Sequence, residues 1–157
     1  MLLTVTSDAS FCTYTSKAGY GFLISSNVGR FSKSGPLKDT KNPCEAELKS
    51  IGNAMCYIAT HKDLWGISKV IFNLDFIAAK DFIEKNGMTS TGKKKHKGKR
   101  YRQIVGIITK YIGELRKRNP SVKIEYRWVE SHTGDSENRS KANEYVDKLA
   151  VEARKKG

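Results

Sequence analysis

Of the 16 acidic residues in this 157-residue chain, Asp8, Glu47, Asp75 and Asp147 stand where carboxylates can meet one another rather than only face water. Asp8 closes the run Leu3-Thr4-Val5-Thr6-Ser7, which carries no other charge, and shares strand parity with Thr4 and Thr6; its other reading is a turn-forming acid before Ala9-Ser10. Asp75 follows the apolar run Val70-Ile71-Phe72-Asn73-Leu74 and precedes Phe76-Ile77-Ala78-Ala79. As a helix cap it would contribute ~1 kcal/mol, yet the carboxyl end of a buried strand is also where open α/β sheets place their chemistry. Taking 100° per residue from Glu47, Ile51 lies at roughly +40°, Ala54 at −20° and Ile58 at +20°, so Glu47 sits inside an apolar stripe or at its edge. Asp147 lies roughly 120° from the centre of the stripe Ala142, Val146, Leu149, Ala150 and Ala153, at its rim, whereas Glu144 is near the opposite face. An ordinary solvated acid is the alternative for Asp147.

Acids gathered in this way suit hard, oxygen-seeking ions, and magnesium takes carboxylates together with waters and phosphate oxygens. The rest of the chain has the opposite charge: 29 Lys and Arg against 16 Asp and Glu leave a formal +13, and the pI is near 9.7. So positive a field selects polyanions, nucleic acid before acidic membrane and both before acidic proteins. Divalent ions reconcile the local acid with the global base, because they neutralise carboxylates and a phosphate together while Lys and Arg hold the flanking backbone. Glu45, about 160° from Glu47 and three residues after a candidate cap at Asn42, reads as a capping and surface residue paired with Lys49.

The elements that must position these groups are legible in outline. Leu2 to Asp8, Gly19 to Ser25 and Val28 to Ser34, the last after a tight turn at Ser26-Asn27, read as an antiparallel meander. A helical period runs from Pro43 to Thr60, a short apolar strand from Lys69 to Leu74, and a second helix from Phe76 to Lys85. After a polar breaker, a helix with apolar positions Ile104, Ile107, Ile108, Tyr111, Ile112 and Leu115 ends at Asn119-Pro120. Val122, Ile124, Tyr126 and Trp128 then alternate with charged residues as a half-buried strand, and a final helix reaches about Arg154. With 38% hydrophobic and 29% charged residues, no internal repeat and no linker, residues 1–157 read as one α/β domain: a mixed sheet with helices packed on it.

Across nearly its whole length the chain resembles the type 1 ribonuclease H family. The matching stretches are Thr6-Ser7-Asp8-Ala9-Ser10, Gly19-Tyr20-Gly21, Ala46-Glu47-Leu48, Asn73-Leu74-Asp75, Ser131-His132-Thr133-Gly134 and Asp147-Lys148-Leu149-Ala150, in that order. The resemblance implies a five-stranded mixed sheet with three antiparallel strands first. It also implies cleavage of the RNA strand of RNA-DNA hybrids, leaving 5′-phosphate and 3′-hydroxyl ends. Asp8, Glu47, Asp75 and Asp147 become metal-binding catalytic carboxylates for two magnesium ions ~4 Å apart, with manganese as a substitute, and His132 a catalytic residue on a loop beside them. Ser10 and Asn42 are the hybrid contacts that it suggests. Ala9 stands where relatives often carry glycine, and Pro43 and Cys44 where they often carry asparagines. The interval from His132 to Asp147 is longer than in many relatives, which leaves Asp135, Glu137 and Glu144 as substitutes for the fourth acid. A noncatalytic hybrid or double-stranded RNA binder, and another nuclease of the same fold, are the competing readings.

A basic insertion at about 88–102 lies where many relatives carry a protrusion that grips the DNA strand. Its cations Lys93, Lys94, Lys95, Lys97, Lys99, Arg100 and Arg102 are candidate phosphate contacts, with Tyr101 stacking or packing beside them. A histidine in a glycine-containing loop titrates near ~6.5 and suits a proton shuttle or help in product departure. No stretch approaches the ~20 apolar residues of a membrane helix, and Met1-Leu2-Leu3-Thr4 lacks a secretory lead. Cys12, Cys44 and Cys56 form no Cys-x-x-Cys pair and read as reduced thiols of a cytoplasmic monomer with no protein partner. Cys44 falls beside the stripe of Glu47, Cys56 on the outer face or against another element, and Trp65 and Trp128 in or near the core.

Overall fold

Polar and apolar residues alternate through the first part of the chain, and they pair as β1 (Leu2–Phe11), β2 (Ala18–Ser26) and β3 (Gly29–Leu37). A computed structural model of the chain describes residues 1–75, 78–84, 98–128 and 137–157. The β2–β3 turn falls on Asn27-Val28, one residue later than the sequence suggests. Gly29 there has φ +140, and the Ser26 hydroxyl accepts from Val28 N and donates to Gly29 O. The remaining elements are α1 (Pro43–Thr60), β4 (Lys69–Leu74), α2 (Ala78–Glu84), α3 (Gly98–Arg118), β5 (Lys123–Trp128) and α4 (Glu137–Lys156). The expected five-stranded mixed sheet is present, in the order β3-β2-β1-β4-β5. β1, β2 and β3 are antiparallel neighbours, and β1, β4 and β5 are parallel neighbours.

Parity along β1 and β2 separates two faces. Leu3, Val5, Phe22 and Ile24 belong to the buried core beneath α1 and α3, with Leu48, Ile51, Met55 and Ile58 from α1 and Ile104, Val105, Ile108 and Leu115 from α3. Each such side chain contributes about 1.5–3 kcal/mol by leaving water. Residues of the opposite parity face α4, and here two glycines decide the packing. A Cβ on Gly19 would strike the backbone of Arg154, Ala150 and Ala153, and one on Gly21 would strike Leu149 and the Val146 carbonyl. With only hydrogens at these positions, α4 lies directly on β2.

α1 has the expected bounds because its start is over-determined: Asn42 Oδ1 accepts from Glu45 N at 2.9 Å, and Pro43 occupies the first turn. Three sequence expectations need correction. Trp65 is 70% exposed and Trp128 52% exposed, since one lies in the α1–β4 connection and the other at the end of the edge strand β5. Ile107 is also exposed, and Val105 takes the buried place on α3. Glu45 is 2% exposed and pairs with Arg100, not with Lys49. Gly98–Arg102 of the basic segment forms the first part of α3. Residues 88–97 of the basic segment lie outside the described residues. None of the described helices is long and apolar enough to cross a membrane.

Candidate metal centre

β1 and β4 run parallel, with Val5 beside Phe72 and Thr6 beside Asn73. Two residues beyond that last pair, the same register brings Asp8 alongside Asp75. On the other side of β1, Asp8 pairs with Gly21, the residue whose missing side chain lets α4 approach. Glu47 enters from the first turns of α1, which is tied to β1 where the Ser50 hydroxyl donates to Asp8 O at 2.9 Å. One oxygen from each of Asp8, Glu47 and Asp75 lies within 4.8 Å of the others. The interior of β1, the residue just past β4 and the first turns of α1 thus bring together three acids far apart in sequence.

The Ala9 amide donates to Asp8 Oδ1 at 2.8 Å and is shared with Glu47 Oε1 at 3.3 Å. None of the ion pairs among the described residues reaches Asp8, Glu47 or Asp75. Burial, followed by the charge of Asp75, pushes the Asp8 carboxyl up to about 7. Burial and the charge of Asp8 raise Glu47 well above the carboxylate range. Burial raises Asp75, and the charge of Asp147 adds to the effect. Asp147 itself is exposed on α4, close enough for its charge to act on both Asp8 and Asp75. Mutual repulsion in a half-dehydrated cluster is relieved by a proton or by a cation. Three carboxylates with no basic partner among the described residues form an all-oxygen donor set that fits a hard divalent ion.

The other candidates are distributed around this cluster. The Ser10 hydroxyl, two residues beyond Asp8, accepts from Arg154 Nε at 2.8 Å. Arg154 was not singled out in the sequence, although it stands seven residues after Asp147 and so within roughly 20° of it on the helix. Asn42 caps α1 and donates from Nδ2 to the Tyr101 hydroxyl at 3.3 Å. Tyr101 packs on Phe82, with ring centroids 4.9 Å apart, and burial pushes its hydroxyl up to about 12. Arg100 donates from Nε and Nη2 to the two oxygens of Glu45, at 2.8 and 2.9 Å. These bonds hold the Glu45 carboxyl below its ordinary range despite its burial. Lys99 and Arg102 are exposed on the first turns of α3. Glu144 is exposed on α4. Lys93, Lys94, Lys95, Lys97, His132 and Asp135 lie outside the described residues, as does the side chain of Glu137. Cys44 packs against the core, and Cys56 lies against Tyr111 of α3.

The family model described as RNase H matches residues 2–155. Among solved structures, the chain is similar to RNase H1 from the halophilic archaeon Halobacterium salinarum NRC-1. The identity is 14%, the TM-score 0.71, and 100% of each chain is covered. It is also similar to the N-terminal RNase H domain of rv2228c from Mycobacterium tuberculosis, at 15% identity and a TM-score of 0.66 over 98% of this chain and 99% of that one. A third similar structure is LC11-RNase H1 in complex with RNA/DNA hybrid, at 15% identity and a TM-score of 0.66 over 98% of this chain and 97% of that one. No curated protein sequence matches the chain.

Proposed function

The chain belongs to the RNase H family, and from that premise we propose that it is an endonuclease hydrolysing the RNA strand of RNA-DNA hybrids with magnesium. The observation that carries this reading is the cluster of Asp8, Glu47 and Asp75 within 4.8 Å, held without a basic partner among the described residues in a chain of net charge +13. A protein that only bound a phosphate backbone would gain nothing from acids that repel it.

In this reading Asp8, Glu47 and Asp75 hold two divalent ions, magnesium or in its place manganese, with Asp147 reaching in from α4. When bound, the ions supply a more acidic attacking water, a neutralised phosphate and a stabilised departing 3′-oxygen. The Ala9 amide, shared between Asp8 and Glu47, fixes the orientation of those two carboxylates. His132 moves the proton that accompanies product departure. Lys93, Lys94, Lys95, Lys97, Lys99 and Arg102 hold the flanking phosphates, and Ser10 and Asn42 line the approach of the hybrid. The products carry 5′-phosphate and 3′-hydroxyl ends. The protein works as a cytoplasmic monomer, a setting that suits cysteines held outside disulfides, as Cys12, Cys44 and Cys56 are.

The test is cleavage of labelled hybrid, single-stranded RNA, duplex RNA and duplex DNA, with and without magnesium, by the parent chain and Asp75→Asn. Hybrid-selective, magnesium-dependent cutting is expected. Asp75→Asn should retain binding and lose more than the ~100-fold typical of residues that merely orient a metal ligand. Cutting that survives the substitution, or a parent that binds hybrid and never cuts it, overturns the proposal.

A further inference from the structure

Glu45 lies two residues before Glu47, in the first turn of α1, yet it is turned inward and is only 2% exposed. Its Oε1 accepts from Lys41 N at 3.0 Å and from Arg100 Nη2 at 2.9 Å, and its Oε2 from Arg100 Nε at 2.8 Å. Arg100 Nη2 also donates to Asp39 O at 2.9 Å. Beside this pair, Asn42 bonds Tyr101, which packs on Phe82 of α2. The first turn of α3 is thereby fastened to the first turn of α1 and to the loop before it.

The pair is buried at Glu45 while the Arg100 side chain is 36% exposed; such a pair adds little net stability, and the best-attested use of charge pairs set into a fold is to fix register. What this pair fixes follows from the chain on either side. Glu47 is half a turn away on one side; on the other, the exposed Lys99 is adjacent, and the lysine run 93–97 leads by connectivity into Gly98. We propose that the Glu45–Arg100 pair is a positioning device, which sets the offset between phosphates held by cations at the start of α3 and the phosphate presented to Asp8, Glu47 and Asp75. Arg100 itself contacts no phosphate. This rests on the hybrid-cleaving reading above, and it makes the pair a determinant of where along the hybrid the cut falls.

The experiment compares the parent, Glu45→Gln, Arg100→Gln and the double variant on one end-labelled hybrid, with the melting curve of each. Both single variants should spread cuts over positions the parent leaves intact and raise KM about fivefold or more, with kcat within about twofold. The double variant, whose two amides can bond each other without charge, should recover part of the parent pattern. Arg100→Gln should keep the parent's salt dependence of hybrid binding, whereas Lys99→Gln should lower the slope by about 0.7–0.9. The proposal is overturned by single variants that keep the parent's cut pattern and KM, even if they melt earlier. It is equally overturned by an Arg100→Gln slope that falls by one contact's worth. If the parent cuts no hybrid, the cleavage reading falls alone and the pair is judged by binding. A fivefold loss of hybrid affinity in both single variants, with the Arg100→Gln slope unchanged, then supports it, and unchanged affinity overturns it.

Discussion

Three carboxyl groups whose proton affinity is raised by burial and by one another make the metal-free fold respond to pH in a defined sense. Asp8 titrates near ~3.9 in an unfolded chain and near 7 in the folded one. The native state therefore takes up this proton more readily, and the contribution of Asp8 to stability falls as pH rises from about 4 to about 7, then levels. Divalent ions bind the deprotonated groups, so their stabilisation runs the other way. At ~100 times its dissociation constant an ion adds about 2.7 kcal/mol, or about 5–10 °C in Tm. Thermal melts should show that shift with magnesium at pH 8 and little of it at pH 5. Asp8→Asn should melt higher than the parent at pH 8 without magnesium and respond less to it; an equal magnesium shift at both pH values would contradict this account. The candidacy of these acids was readable from local pattern, a strand end for Asp8 and Asp75 and a helix stripe for Glu47. Their meeting was not, because it depends on the β1–β4 register. The partner of Glu45 was hidden for the same reason, since Arg100 lies outside any local period.

At the scale of elements, α4 is positioned by the absence of side chains on Gly19 and Gly21. Gly19→Ala forces a Cβ into helix backbone that cannot step aside, and overpacking of this kind costs about 1–3 kcal/mol. A Tm lower by about 3–9 °C is expected, together with slower cleavage as Asp147 and Arg154 move with the helix. Gly113→Ala is the contrast: it stands inside α3, where a Cβ meets nothing within 4 Å, and should stabilise by about 0.5–1 kcal/mol. Calorimetry on the two variants checks both signs. α1 and β4 were legible to the residue, because a cap with a proline marks one and an unbroken apolar run marks the other. β1, β2 and β3 extend past their hydrophobic alternation because backbone pairing in the hairpins continues after the pattern stops. α3 starts earlier than its apolar stripe because its first turn is polar and is held by Glu45 and Asn42, contacts that periodicity does not register.

The whole molecule carries +13, and its interaction with a polyanion should be dominated by counterion release. Replacing Lys93, Lys94, Lys95 and Lys97 together with glutamine should weaken hybrid binding on every sequence and reduce the salt slope by about 0.7–0.9 per lost phosphate contact. Binding titrations across a range of KCl concentrations check this, and an unchanged slope would remove the lysines from the interface. Composition made the class of partner legible, whereas the spatial distribution of the charge was beyond it. Part of that charge borders the sheet. Among the described residues the two outermost strands, β3 and β5, pair along one side only, and they carry Arg30, Lys33 and Pro36 on one and Lys123, Glu125 and Arg127 on the other. Margins of net positive charge, one of them interrupted by proline, resist the strand-to-strand joining that seeds fibrils, so concentrated solutions should stay clear at low ionic strength and lose that protection as salt screens the margins.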